Sequence, residues 1–93
     1  MKFGVCLPHF GIPLDIPRLT EMAVKSEELG FDSVWVTDHV IVPSDITEQP
    51  GISFRRNMLD PFTLLGHLGA VTSKVSIGTS VIILPYRNPI VLA

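Results

Sequence analysis

Two adjacent residues, Asp38 and His39, are where this chain could do chemistry. They follow a run of strand composition, Ser33-Val34-Trp35-Val36-Thr37. An imidazole titrates near neutrality and can donate or accept a proton, while a carboxylate can accept an N–H. Adjacent side chains of a strand point to opposite faces, but a turn at the strand end can bring both to one mouth. The plainer alternative is a solvated turn in which Asp38 caps backbone. His9 follows an earlier apolar run, which puts it at the same end of the sheet, and it is expected as an exposed loop histidine. His67 falls within a helical stretch and is expected to pack or bond locally. His9, Asp38 and His39 could be gathered round a metal. Neither a cysteine cluster nor a His-Glu-x-x-His spacing supports one, so no metal is expected.

A second group comes later. Thr79-Ser80-Val81 lies within a run that otherwise reads as buried strand, and Gly78 before it permits close approach of a backbone or a ligand. The two hydroxyls read as a change from packing to contact, or else as groups bonded to neighbouring strands. Tyr86-Arg87-Asn88 follows. Arg87 could pair with an anionic ligand tail, and is expected as a surface charge. The single cysteine, Cys6, permits no disulfide within the chain and is expected as a small buried hydrophobe.

These residues need elements to position them. Lys2 to Leu7 is a continuous β-type run closed by Pro8, expected to be covered on both faces as in parallel sheets. Asp15 has the character of an N-cap, with Pro17 in the first turn. Leu19, Met22, Ala23, Ser26 and Leu29 then recur at helical spacing, and Gly30 suits the position after the last turn. Ser33 to Thr37 is the second strand. The short connections predict a parallel pair with a right-handed crossover. From Val40 to Asp60 the pattern dissolves into a loop of about twenty residues, a length that in compact domains is usually functional or disordered. It is expected as a lid or specificity loop. Asp60-Pro61 starts a second helix running to about Thr72, a third strand spans Val75 to Leu84, and Asn88-Pro89 repeats the helix-start signature.

Composition narrows the function classes. With 93 residues this is one domain at most, and a chain of that size buries only about 60–65% of its unfolded surface. The net charge is −2 with Lys and Arg scattered, which leaves no electrostatic footprint for nucleic acid or an anionic membrane. The apolar run before Pro8 is too short for a signal-peptide core, and no run approaches the roughly 18 residues of a membrane span. A cytoplasmic protein is expected. Three parallel strands leave two unpaired edges, which proteins normally cover or close. The chain is therefore expected to be the opening piece of a larger α/β protein: β-α-β-α-β plus the start of a third helix. Sequential βα units fit a (β/α)8 TIM barrel or a doubly wound sheet. The absence of Gly-x-Gly-x-x-Gly and of a Gly-x-x-x-x-Gly-Lys run favours the barrel.

The linked segments resemble a known family. They are Phe3-Gly4-Val5…Pro8; Glu27-Glu28-Leu29-Gly30-Phe31-Asp32-Ser33-Val34-Trp35-Val36-Thr37-Asp38-His39; Asp60-Pro61; and Ile77-Gly78-Thr79-Ser80-Val81…Leu84-Pro85…Arg87-Asn88-Pro89. In order and spacing they are similar to the start of luciferase-like monooxygenases, most of all to the coenzyme F420-dependent oxidoreductases. The resemblance implies the first three βα units of a (β/α)8 barrel, with a flavin or deazaflavin at the carboxyl ends of the strands. It implies a cofactor-binding set of Asp38, His39, Thr79, Ser80 and Val81. His39 would be the acid/base or charge-stabilising residue beside the hydride-transfer centre, and Asp38 would contact the ring. It also implies a non-proline cis peptide at Ser80–Val81. F420 is the expected cofactor and FMN, in a monooxygenase using reduced flavin and O₂, the alternative. A third alternative is an inactive truncated barrel. The expected partner is a small-molecule substrate, with homo-oligomer formation through the open edges also compatible. The 93-residue chain alone is expected to be inactive.

Overall fold

The computed structural model describes residues 1–9, 15–39 and 58–93. Three strands, β1 (Gly4–Cys6), β2 (Ser33–Thr37) and β3 (Ser76–Val81), pair in parallel in the order β1-β2-β3. In chain order α1 (Ile16–Glu28) lies between β1 and β2, and α2 (Pro61–Val71) between β2 and β3. A short 3₁₀ turn (Leu84–Tyr86) and α3 (Pro89–Leu92) follow β3. This is the expected α/β order. Of the expected lid or specificity loop, Val40 to Asp60, residues 40–57 lie outside the described residues.

The helix-start signals act through defined bonds at two helices. Asp60 Oδ2 accepts the N–H of Thr63 at 3.0 Å, with Pro61 at the first helical position. Asn88 Oδ1 accepts from Ile90 N at 2.9 Å and from Val91 N at 3.4 Å, with Pro89 beside it. Asp15 occupies the N-cap of α1 on extended backbone, but its side chain makes no capping bond. Gly30 leaves α1 at φ +84°, in the left-handed region that residues with a side chain rarely adopt.

Both longer helices pack on one face of the sheet. Alternation along β2 puts Val34 and Val36 beneath them, fully buried. Leu19 and Ala23 of α1, Leu64 and Leu68 of α2, and Leu7 complete the core. Burying each Leu or Val contributes about 1.5–3 kcal/mol. The other face carries Trp35, which is 38% exposed. Its indole lies across both neighbouring strands. A Cβ on Gly4 would stand 2.5 Å from Trp35 Nε1, and one on Gly78 would stand 2.8 Å from Trp35 Cζ3. Glycine at these two positions lets the ring lie flat on the sheet.

Three expectations are corrected. The first run is not covered on both faces by any described residue. Cys6 pairs in register with Trp35 on the open face and is exposed rather than buried. The third strand ends at Val81, not Leu84, because the Ile83 N–H turns away to the Asp38 carboxylate and Pro85 enters the 3₁₀ turn. Among the described residues no helix is long and apolar enough to cross a membrane.

Candidate functional site

The carboxyl ends of β2 and β3 meet at an irregularity. Val36 pairs with Thr79, but Thr37 pairs with Val81, so Ser80 is an extra residue in β3. Such a bulge re-aims side chains and recurs beside active sites. Here it leaves both Ser80 and Val81 exposed. Ser80 Oγ donates to the Val36 carbonyl at 3.2 Å and lies 3.0 Å from Thr37 Oγ1. With the serine proton committed to the carbonyl, the threonine hydroxyl is the donor of that pair. The Asp38 N–H then donates to the Val81 carbonyl at 3.1 Å. Thr37-Asp38 and Ser80-Val81, far apart in sequence, are direct neighbours. The expected cis bond at Ser80–Val81 is corrected. Every peptide among the described residues is trans, and the bulge absorbs the extra residue without it.

Asp38 is buried, with its side chain 1% exposed, and both its oxygens are engaged. Arg87 Nη2 donates to Oδ1 at 3.0 Å and Nε donates to Oδ2 at 3.3 Å, the two-pronged geometry that suits guanidinium to carboxylate. The Ile83 N–H adds a third bond, to Oδ2, at 3.1 Å. Burial pushes the Asp38 carboxyl up. The Arg87 hydrogen bonds, the Ile83 N–H and the Arg87 charge together outweigh that and hold it below its ordinary range. Arg87 Nη1 also donates to Asp60 Oδ1 at 2.7 Å. The Thr63 N–H, and after it Arg87, keep Asp60 below its ordinary range despite its partial burial. The guanidinium stands 5.1 Å from the centre of the Phe62 ring, within cation–π reach. Arg87, expected as a surface charge, is instead 21% exposed and bridges two carboxylates.

His9 is corrected in the same way. It is 1% exposed, with Nε2 2.7 Å from the Thr37 carbonyl and Nδ1 3.0 Å from the Leu7 carbonyl. It is a strut between the ends of β1 and β2, one residue before Asp38. His39, partly exposed, directly follows the anchored Asp38. His67 lies at the α1–α2 seam, with Nε2 2.7 Å from Thr20 Oγ1, 47 positions away in sequence. Among the described residues no group of three His, Cys, Asp or Glu side chains is placed to hold a metal ion.

Of the predicted site residues, the structure brings Asp38, Ser80 and Val81 together at the carboxyl end of the sheet, with Thr79 on the Val36 register and His39 next in the chain after Asp38. Sequence reasoning missed Arg87 as the partner of Asp38, and His9 as a strut. One signal for Arg87 was available. In a βα succession the exit of β2, the start of α2 and the exit of β3 share one end of the sheet. Two carboxylates, Asp38 and Asp60, and one cation, Arg87, occupy those three places.

The family model for luciferase-like monooxygenases matches residues 1–93. The alkanal monooxygenase alpha chain of Photorhabdus laumondii is 30% identical over 97% of this chain and 23% of its own length. The F420-dependent glucose-6-phosphate dehydrogenase of Microbacterium testaceum is 38% identical over 82% of this chain and 20% of its own. That of Kribbella flavida is 41% identical over 83% of this chain and 21% of its own. The chain thus spans less than a quarter of these relatives. No solved structure matches it significantly.

Proposed function

Because the chain belongs to the luciferase-like monooxygenase family, an assignment that carries the oxidoreductase class with it, we propose that it forms the opening of a (β/α)8 barrel which uses coenzyme F420 to transfer hydride to or from a small organic substrate. The observation that carries this reading is the junction at the carboxyl end of the sheet, where Asp38-His39 abuts the Ser80 bulge of β3. In barrels that end is where chemistry is done. The residues there suit one wall of a planar ring site. Val81 offers exposed apolar surface, Thr37 and Ser80 offer hydroxyls, and His39 offers an imidazole. A deazaflavin supplies the hydride acceptor or donor at a ring carbon. The chain's own residues orient and protonate. His39 holds or moves the proton that accompanies the transfer, and Ser80, Val81 and Thr79 shape the face behind the ring. Asp38, with both oxygens engaged by Arg87 and Ile83, holds His39 in place at that wall.

The test is binding and turnover by the protein that carries this chain. F420 is expected to bind stoichiometrically, and His39→Ala to abolish most hydride transfer. Tight FMN binding with no F420 binding would sink this version. One observation favours that second reading, an FMN-dependent monooxygenase: the alkanal monooxygenase alpha chain aligns over more of this chain than the F420-dependent relatives do. Oxygen consumption with reduced FMN would establish it.

A further inference from the structure

We propose that Arg87 is a positioning residue for His39, acting through Asp38. This rests on the reading that His39 works beside the transferred hydride. Three elements converge on one guanidinium. Asp38 is the exit of β2, Asp60 is the N-cap of α2, and Arg87 lies in the segment between the 3₁₀ turn and α3. Asp38 is fixed at both ends, its main-chain N–H by the Val81 carbonyl and its carboxylate by Arg87 and Ile83. The next Cα along the chain is that of His39, only about 3.8 Å away. A change in the Asp38 backbone therefore carries the Cα of His39 with it.

The group doing this must be arginine. It uses three N–H groups in one plane, two on Asp38 and one on Asp60, and it stands over the Phe62 ring. A lysine ammonium is a point charge without that fork, so it can neutralise Asp38 without setting its orientation. Two carboxylates share one cation here, so each limits how far the guanidinium can drift toward the other. The arrangement suits fixed geometry better than it suits charge balance. Misplacing a reacting group by about 1 Å can cost on the order of a hundredfold in rate.

The experiment compares Arg87→Lys, Asp60→Asn and His39→Ala in the protein that carries this chain. Histidine ring resonances are read by NMR and turnover is measured with the cofactor the protein binds. In Arg87→Lys the His39 ring resonances are expected to shift while those of His67, at the α1–α2 seam, stay put. The kcat is expected to fall about ten- to a hundredfold with KM little changed. Asp60→Asn loosens one arm and leaves the Asp38 pair, so it is expected to move the same His39 resonances less. It decides the question by itself if the lysine variant does not fold. Parent-like His39 resonances in whichever of Arg87→Lys and Asp60→Asn fold would overturn the proposal, even if melting temperatures fell, and would leave Arg87 a stability residue only. Full hydride transfer in His39→Ala would instead overturn the catalytic reading of His39, and the resonance shift would still report whether Arg87 sets its position.

Discussion

The two ends of the sheet use the same functional group in opposite ways. At the amino end the Glu27 carboxylate accepts backbone N–H groups from Ser73, Lys74 and Val75, and so secures the turn into β3. Those bonds, led by the one from Lys74, hold Glu27 below its ordinary range. Asp32 Oδ2 likewise takes the N–H of Phe3 at 2.7 Å. These groups lie near solvent and serve main chain alone. At the carboxyl end Asp38 is buried, and its chief partner is a side-chain cation 49 positions away in sequence. An exposed carboxylate on backbone fastens a loop, and water can replace it. A buried carboxylate on a guanidinium fixes a direction, and water cannot replace that. In barrels the amino end is where residues serve stability and the carboxyl end where they serve chemistry, and on the proposed reading the two ends here divide in the same way.

The largest expected effect tests the division directly. Asp38→Ala strips two of the three bonds from the Arg87 guanidinium. Arg87 keeps Asp60 and some contact with water, so the loss is that of a charged hydrogen-bonded partner, about 1–3 kcal/mol of unfolding free energy. Glu27→Ala is expected to cost clearly less, because the N–H groups of Ser73 and Lys74 are exposed and turn to water. Urea unfolding of both variants measures the difference. A loss in Glu27→Ala equal to that in Asp38→Ala would end the contrast.

Much of this layout is legible in the sequence, because its causes are local. Proline after Asp60 and Asn88 marks two helix starts, Gly30 marks a left-handed exit, and alternation along Ser33–Thr37 separates the faces. The Asp38-His39 tip follows from where β2 stops. What is not legible depends on partners far along the chain. The bonds of His9 to Thr37, of Glu27 to the 73–75 turn and of Arg87 to Asp38 span 28 to 49 positions, and no spacing rule announces them. Cys6 reads as buried because its neighbours are apolar, and alternation alone cannot say which face the helices will take. The bulge was legible as an oddity at Thr79-Ser80, but trans geometry replaces the cis bond that the resemblance implied.

Acid sharpens the same comparison with a somewhat smaller effect. The folded Asp38 gives up its proton at lower pH than the unfolded chain does. Between the two values the unfolded chain binds more protons, so stability rises with pH in that window. The contribution is full above the ordinary carboxylate value and is lost as pH falls below about 4, through the folded value. Asp38→Asn is expected to flatten the fall in unfolding midpoint below that pH. Glu27→Gln, with the same sign, is expected to flatten it less. An unchanged slope in Asp38→Asn would show that the Arg87 pair contributes nothing to folding.

The smallest effect lies midway between the two ends. In Gly78→Ala the new Cβ would stand 2.8 Å from Trp35 Cζ3 and 3.1 Å from Cε3, so the indole must move. Overpacking usually costs about 1–3 kcal/mol. Two things reduce that here: the ring lies on the open face, 38% exposed, and alanine restricts the unfolded chain by about 0.4–1 kcal/mol. The net change is expected to stay within about 1 kcal/mol. Trp35 is the only tryptophan of the 93-residue chain, and its emission in that chain reports the displacement. The His39 and His67 ring resonances are expected to stay where they are. If Gly78→Ala instead shifts His39, the open face and the carboxyl end move together. The anchoring of Asp38 would then depend on the packing of the sheet and not on Arg87 alone.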